Sequence, residues 1–353
     1  MGVVSAVVAG VAPGIRHRVA DHAASGALRD LLEHHRASYA PEPLSEGAVF
    51  GFSGAFDMTI RIARGSVPPI DLDGRALSLE LEACKHLGLE AEWHVTDDPH
   101  AAWDRLRDEL DDGYPVLLRA DVGELDYHDE LPHDTRHAVV VTGCDEEAGL
   151  ARVTDRYFAD AQRCTLTSLA AARASRGWPE PARHGLLQIR RPARLAEPKD
   201  AVHAALARTV GNMRHPQRNG HPHVRNGLAA LDALVDAWPC LGELAGPRLG
   251  ETLSALRFRI RDGGTGGALY RSLQARFEHD AAALLSSRAL GRAALLCDDL
   301  ADAWRALAAA LDDEDAERAH ASSQHSLERV RTLEHRHVEA LELQLGIPRA
   351  AAA

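Results

Sequence analysis

Apolar residues at Ala23, Ala27, Leu28, Leu31 and Leu32 recur at the spacing of one helical face and predict a helix over 23–34. Asp21 or His22 stands where its N-cap falls. A second helix is predicted over 101–110. The pattern then changes to short, nearly continuous apolar runs at 114–121 and 136–144, which read as buried strands. A polar turn at 145–149 sends the chain back through 150–155, making a hairpin. Strands are also expected at 162–166 and 185–190, with a helix over 168–174 between them. The sum is an antiparallel sheet with helix packed on it, an α+β plan.

From Asp200 the periodicity is helical. A helix through 210 leads into a polar loop over 214–223 and then three or four long helices, interrupted by the glycine cluster at 262–267. Leu284, Leu285, Leu290, Ala294 and Leu295 sit at core spacing for a bundle, and a homo-oligomer interface could use the same faces. The glycine cluster reads as a helix-to-helix loop, although its backbone freedom would also suit N–H groups aimed at an anion. A chain of 353 residues supports two cores. The expected domains are 1–194, α+β, and 199–346, all-α, joined by a linker within 190–198. Residues 1–10 are mildly apolar but short for a signal core and lack a basic leader, so an edge strand is expected there.

Composition narrows the function classes. A formal net charge of −12 disfavours binding to nucleic acid and suits a cationic small molecule. An acidic protein partner would need a local basic patch such as Arg16, His17 and Arg18. Five cysteines form an odd set without CxxC spacing, as expected of reduced thiols in a cytoplasmic protein. No apolar run reaches membrane-spanning length, so no membrane partner is expected. Among 20 histidines, the sets His133, Asp134, His137 and His215, His221, His223 were the strongest metal candidates, but neither has rigid helical spacing, and no metal is expected.

The chemistry-bearing positions lie in the first half. His137 opens a strand and Asp155 ends the next, so the hairpin brings a candidate general base to a candidate orienting acid. The plainer readings are a core histidine and a turn aspartate. Ala23 opens a helix, where exposed N–H groups would activate a thiol and stabilise an oxyanion. A methyl group there can do neither job of a nucleophile. Ser25, about 200° further round the helix, should face away from His137.

Asp21-His22-Ala23-Ala24-Ser25-Gly26-Ala27-Leu28-Arg29-Asp30-Leu31-Leu32, followed by Leu44-Ser45-Glu46 and Phe50-Gly51, resembles the N-terminal domain of the butirosin biosynthesis protein H family. The second half resembles that family's helical companion through Asp262-Gly263-Gly264-Thr265-Gly266-Gly267-Ala268-Leu269-Tyr270-Arg271 and Arg276-Phe277. The resemblance implies a papain-like fold, similar to leader-clipping bacteriocin peptidases, and transfer of an acyl group from a carrier-protein thioester to the amine of a small molecule in antibiotic biosynthesis. It implies no cofactor beyond the carrier's phosphopantetheine. Cysteine is the family residue at position 23, so this chain departs from the pattern at the nucleophile. His22, Ser45 and Glu46 fall where the family suggests substrate contacts, while Ser45 equally suits a helix N-cap with Glu46 in the first turn. Three functions remain in view: an acyltransferase that is inactivated or transfers directly, a noncatalytic scaffold that keeps the fold, and a papain-like amide hydrolase.

Overall fold

The computed structural model describes residues 15–190, 194–214 and 223–347. The elements are α1 (Ala23–His34), α2 (Glu46–Phe52), β1 (Phe56–Ile62), β2 (Ile70–Arg75), α3 (Leu79–Leu87), β3 (Glu90–His94), α4 (Pro99–Asp111), β4 (Val116–Ala120), β5 (His137–Asp145), β6 (Leu150–Thr154), β7 (Gln162–Thr165), α5 (Leu166–Ala174) and β8 (Leu186–Arg190). They continue with α6 (Pro198–Arg214), β9 (Val224–Asn226), α7 (Leu228–Ala237), α8 (Leu241–Ala245), α9 (Leu249–Arg261), α10 (Arg271–Leu284), α11 (Arg288–Ala310) and α12 (Ala316–Gln344). An α+β region is therefore followed by an α-rich one. The edge strand expected at 1–10 lies outside the described residues.

The chain forms two compact units, one of residues 1–44 and 88–195, the other of 45–87 and 196–353. Residues 45–87, placed by sequence within the expected 1–194 domain, group by contact with the second unit. Long-range contacts draw 45–87 into the second unit: β1 pairs with β9, and α2 packs on α10.

The first unit is built on a six-stranded antiparallel sheet in the order β3-β8-β4-β5-β6-β7. Its centre is β5, whose run His-Ala-Val-Val-Val-Thr-Gly-Cys is buried at every position, as a strand covered on both faces must be. α4 and α5 contribute Leu106, Leu110, Leu169 and Ala172 to a core shared with Leu118, Val139, Val141 and Val153. α1 packs against β4 and β5.

One ion pair fixes the entry to α1. The imidazole of His17 meets Asp30 Oδ2 through Nδ1 at 2.6 Å and the carbonyls of Asp155 and Phe158 through Nε2 at 3.1 and 2.8 Å. Both ring nitrogens face oxygen acceptors, so both carry protons and the ring is an imidazolium. Burial opposes this charge, but the hydrogen bond and charge of Asp30, helped by the two carbonyls, outweigh it and raise the His17 pKa above 6.5. Arg29 holds the other Asp30 oxygen at 2.9 Å and donates to the Arg18 carbonyl. The residues before α1 are thereby tied to the turn that follows Asp155.

The second unit has a three-stranded sheet, β2-β1-β9, beside its helices. α2 approaches α10 closely because it carries glycine at the contact: a Cβ on Gly51 would lie 1.8 Å from Phe277 Cγ, and one on Gly47 would lie 2.4 Å from Arg276 Cβ. Arg271 opens α10 fully buried and gathers distant backbone. Its guanidinium bonds Glu334 at 2.7 Å and the carbonyls of Leu269, Gly74 and Asp57 at 2.7, 3.2 and 3.1 Å. The glycine cluster before it is the α9–α10 connection, with Gly264, Gly266 and Gly267 at positive φ.

Two outcomes test this description. His17→Gln should cost about 1–3 kcal/mol of stability near pH 6. That difference should narrow as pH rises through the folded pKa, since a raised pKa confers stability only while the ring is protonated; denaturant titration across pH reads it. A pH-independent difference would contradict the imidazolium. Gly51→Ala should destabilise by about 2–3 kcal/mol through overpacking against Phe277, measured as a lower denaturation midpoint, whereas an unchanged midpoint would exclude the close α2–α10 contact.

Candidate functional site

Strand register builds the site. Val140 pairs with Thr154 and Val141 with Val153, so continuing the β5–β6 ladder sets Asp155 diagonal to His137 on the same face of the sheet. His137 Nε2 meets Asp155 Oδ2 at 2.7 Å. The same oxygen receives Tyr127 OH at 2.9 Å and His128 Nε2 at 3.1 Å. Asp155 is 1% exposed. Burial alone would raise its pKa, but the charge of His137 and the hydrogen bonds from His128 and His137 overcome this and hold it far below the usual carboxylate range. An ionised carboxylate only accepts, so His137 donates from Nε2. No partner engages its Nδ1 among the described residues. Tyr157 stacks on the ring, its centroid 5.9 Å away at 16°, and fixes the imidazole plane.

The start of α1 supplies the second half. His22 caps the helix in extended backbone conformation, and its Nδ1 accepts from the Ser25 N–H at 3.3 Å. Gly26 N–H donates to the His22 carbonyl at 3.0 Å. The N–H groups of Ala23 and Ala24, at the positive end of the helix dipole, have no hydrogen bond among the described residues. Ser25 is fully buried, with its Oγ 3.1 Å from His22 Nδ1, and is committed to the cap. The helix start is moored to the chain after Asp155: Ala20 N–H donates to the Arg156 carbonyl at 3.1 Å, and Arg156 donates to the Asp21 carbonyl at 2.7 Å.

Of the residues singled out from sequence, Ala23, His22, His137 and Asp155 all belong to the first unit. Ser45 and Glu46 belong to the second. There Ser45 caps α2 through the Ala48 N–H at 2.9 Å and donates to Asp280 at 2.6 Å, while Glu46 lies buried in the first turn. The capping reading thus describes what Ser45 does in this fold. Tyr127 and His128 were not anticipated. They lie in the irregular stretch between β4 and β5, where periodicity gives no signal, and only the polar Tyr-His pair beside a buried strand hinted at them.

Two groups of metal-ligating atoms come together in the first unit. Ligand atoms of His128, His137 and Asp155 lie within 4.8 Å of one another, as do those of Asp121, Glu124 and His133. In the first set the nitrogen–oxygen contacts are hydrogen-bond lengths, which protons satisfy. In the second, Asp121 is occupied by Ser175 Oγ at 2.7 Å, His133 Nδ1 at 3.0 Å and two backbone N–H groups. His133 and His137 therefore serve different carboxylates. His215 and His221 lie outside the described residues.

No curated protein matches the chain. Family comparison does give matches in tandem: the model for butirosin biosynthesis protein H, N-terminal, covers residues 22–156, and one for a domain of unknown function (DUF4872) covers 167–341. The first match starts at the His22 cap and ends one residue past Asp155, so it brackets the whole constellation. Residues 22–156 are thus similar to the butirosin biosynthesis protein H N-terminal family, and residues 167–341 to DUF4872.

Proposed function

We propose that this protein forms an amide by direct acyl transfer, from a carrier-protein thioester to the amine of a small molecule in antibiotic biosynthesis, without a covalent acyl-enzyme. The observation that carries this reading is an oriented base in a chain without the nucleophile the resemblance implies: His137 is held by a buried, ionised Asp155, yet position 23 is alanine. A thioester is already activated toward amines, so a positioned base and an oxyanion site suffice. The amine nitrogen attacks the thioester carbonyl carbon as His137 Nδ1 takes its proton. Negative charge on the carbonyl oxygen meets the N–H groups of Ala23 and Ala24. The C–S bond then breaks, and the proton on His137 passes to the departing thiolate, leaving amide and thiol.

Support comes from the family-model match over 22–156 and from the mooring of the α1 start to residue 156, adjacent to Asp155. A papain-like ancestry accounts for the order of helix start, strand-opening histidine and following acid. A noncatalytic relative that keeps the pocket is the second reading, favoured by the Ala23 methyl itself. The acyl group and the acceptor lie within the proposal only as classes, a thioester and an amine.

The unmodified chain should accelerate amide formation between a short acyl thioester of N-acetylcysteamine and an aliphatic diamine. His137→Ala should lower that rate roughly a hundredfold or more while leaving the fold intact by circular dichroism. Ala23→Cys should in addition form a thioester adduct detectable by intact mass. An adduct without any rate from the unmodified chain would establish the noncatalytic reading, and no adduct on a folded Ala23→Cys variant would sink the acyl-transfer ancestry altogether.

A further inference from the structure

A cavity of about 580 Å3 lies in the first unit among β3, α4 and the end of α5, and none of its lining residues belongs to the site around Asp155. Trp93, Ala102, Asp104, Asp108, Arg173 and His184 are among them. Arg173 is the unexplained group. It is 3% exposed, and among the described residues its guanidinium makes one hydrogen bond, from Nη2 to the Ala102 carbonyl at 3.0 Å. Its Nε is buried with no partner, and no carboxylate pairs with it among the described residues. The nearby Cys144 thiol is no counter-ion, because burial pushes its pKa up to about 12. Burial brings the Arg173 pKa down to about 10, which still leaves a full positive charge at neutral pH.

An uncompensated buried cation is expensive to hold, by several kcal/mol in general. Proteins that keep one commonly use it. Two further observations mark the place. Arg183 and His184 both adopt left-handed backbone, at φ 48° and 49°, which is strained for side chains of their size. That strain is held by the His184 N–H on the Arg173 carbonyl at 2.7 Å and the Thr96 N–H on the Arg183 carbonyl at 3.1 Å. It sets the His184 ring at the cavity wall, where burial and the charge of Arg173 lower its pKa and leave it a neutral hydrogen-bonding group. The outer lining has the opposite character: Glu92, Asp104 and Asp108 are exposed there, against one exposed arginine, Arg105.

We propose that this cavity binds the carboxylate of a small amino acid-like ligand, whose anionic end is held by Arg173 and whose cationic end faces Asp104 and Asp108. The volume falls in the range of small-molecule sites. A guanidinium with unused N–H groups matches a carboxylate in both charge and geometry. A dianionic phosphate would gain the same floor contact but meet the acidic mouth with greater repulsion.

Calorimetry on the full chain with 6-aminohexanoate, hexanoate, n-hexylamine and inorganic phosphate tests the assignment. The expected order is 6-aminohexanoate tightest, hexanoate weaker, hexylamine and phosphate weakest. Arg173→Met should weaken 6-aminohexanoate about tenfold or more while leaving the ligand-free protein as stable or more stable, because a partnerless cation has been replaced by an apolar side chain of similar length. Asp104→Asn, on an exposed helix face, should erase the preference for 6-aminohexanoate over hexanoate without depending on the outcome at Arg173. Absence of carboxylate binding at millimolar concentration, phosphate bound more tightly than hexanoate, or 6-aminohexanoate binding unchanged in Arg173→Met would each overturn the proposal.

Discussion

A carboxylate at Asp155 is buried almost completely, and in such a place it must be compensated by donors that converge on it. Three do so on a single oxygen: Tyr127, His128 and His137. That convergence determines more than the position of one side chain. It ionises the acid, makes His137 donate from Nε2, and leaves Nδ1 without a partner among the described residues. It also anchors the irregular stretch carrying Tyr127 and His128 against the β5–β6 hairpin. The imidazolium of His17 extends the same mooring, since it bridges Asp30 on α1 and the carbonyls of Asp155 and Phe158. Helix start, hairpin end and the orientation of His137 are thus tied to one buried charge and the hydrogen bonds around it.

What the site lacks sharpens what it can do. A helix start with unused N–H groups and an oriented imidazole, both in the first unit, are the parts on which the proposed direct transfer relies. Nothing in the packing of α1 depends on the residue at 23 being larger than alanine: the helix is capped by His22 and held through Arg29 and Asp30. The departure at Ala23 therefore concerns chemistry alone.

Local patterns carried much of this fold. α1 is predicted by its apolar period, and β4 to β7 by short apolar runs and a polar turn, because their partners are adjacent in sequence and each strand advertises its burial. The pairing of His137 with Asp155 follows from the same hairpin. The allocation of 45–87 to the second unit could not be read locally, since it depends on β1 pairing with β9 and on α2 meeting α10 far along the chain. The glycines of α2 carried that signal, but a helical glycine shows only that something comes close, not what. Arg29 and Asp30 were likewise hidden. They stand on a helix whose apolar stripe is complete without them, yet both are buried, and their role emerges only when His17 and the carbonyl of Arg18 are found against them. Sequence polarity located the charged groups but could not tell which of them the fold would bury.

The claim on which the account rests is the protonation state of His137. Long-range proton–nitrogen correlation of the histidine side chains near neutral pH measures it directly. The account predicts a proton held on Nε2 in the hydrogen bond to Asp155, and loss of that preference in Asp155→Asn. Protonation at Nδ1 with a bare Nε2 would contradict it, because His137 could then not be donating to Asp155.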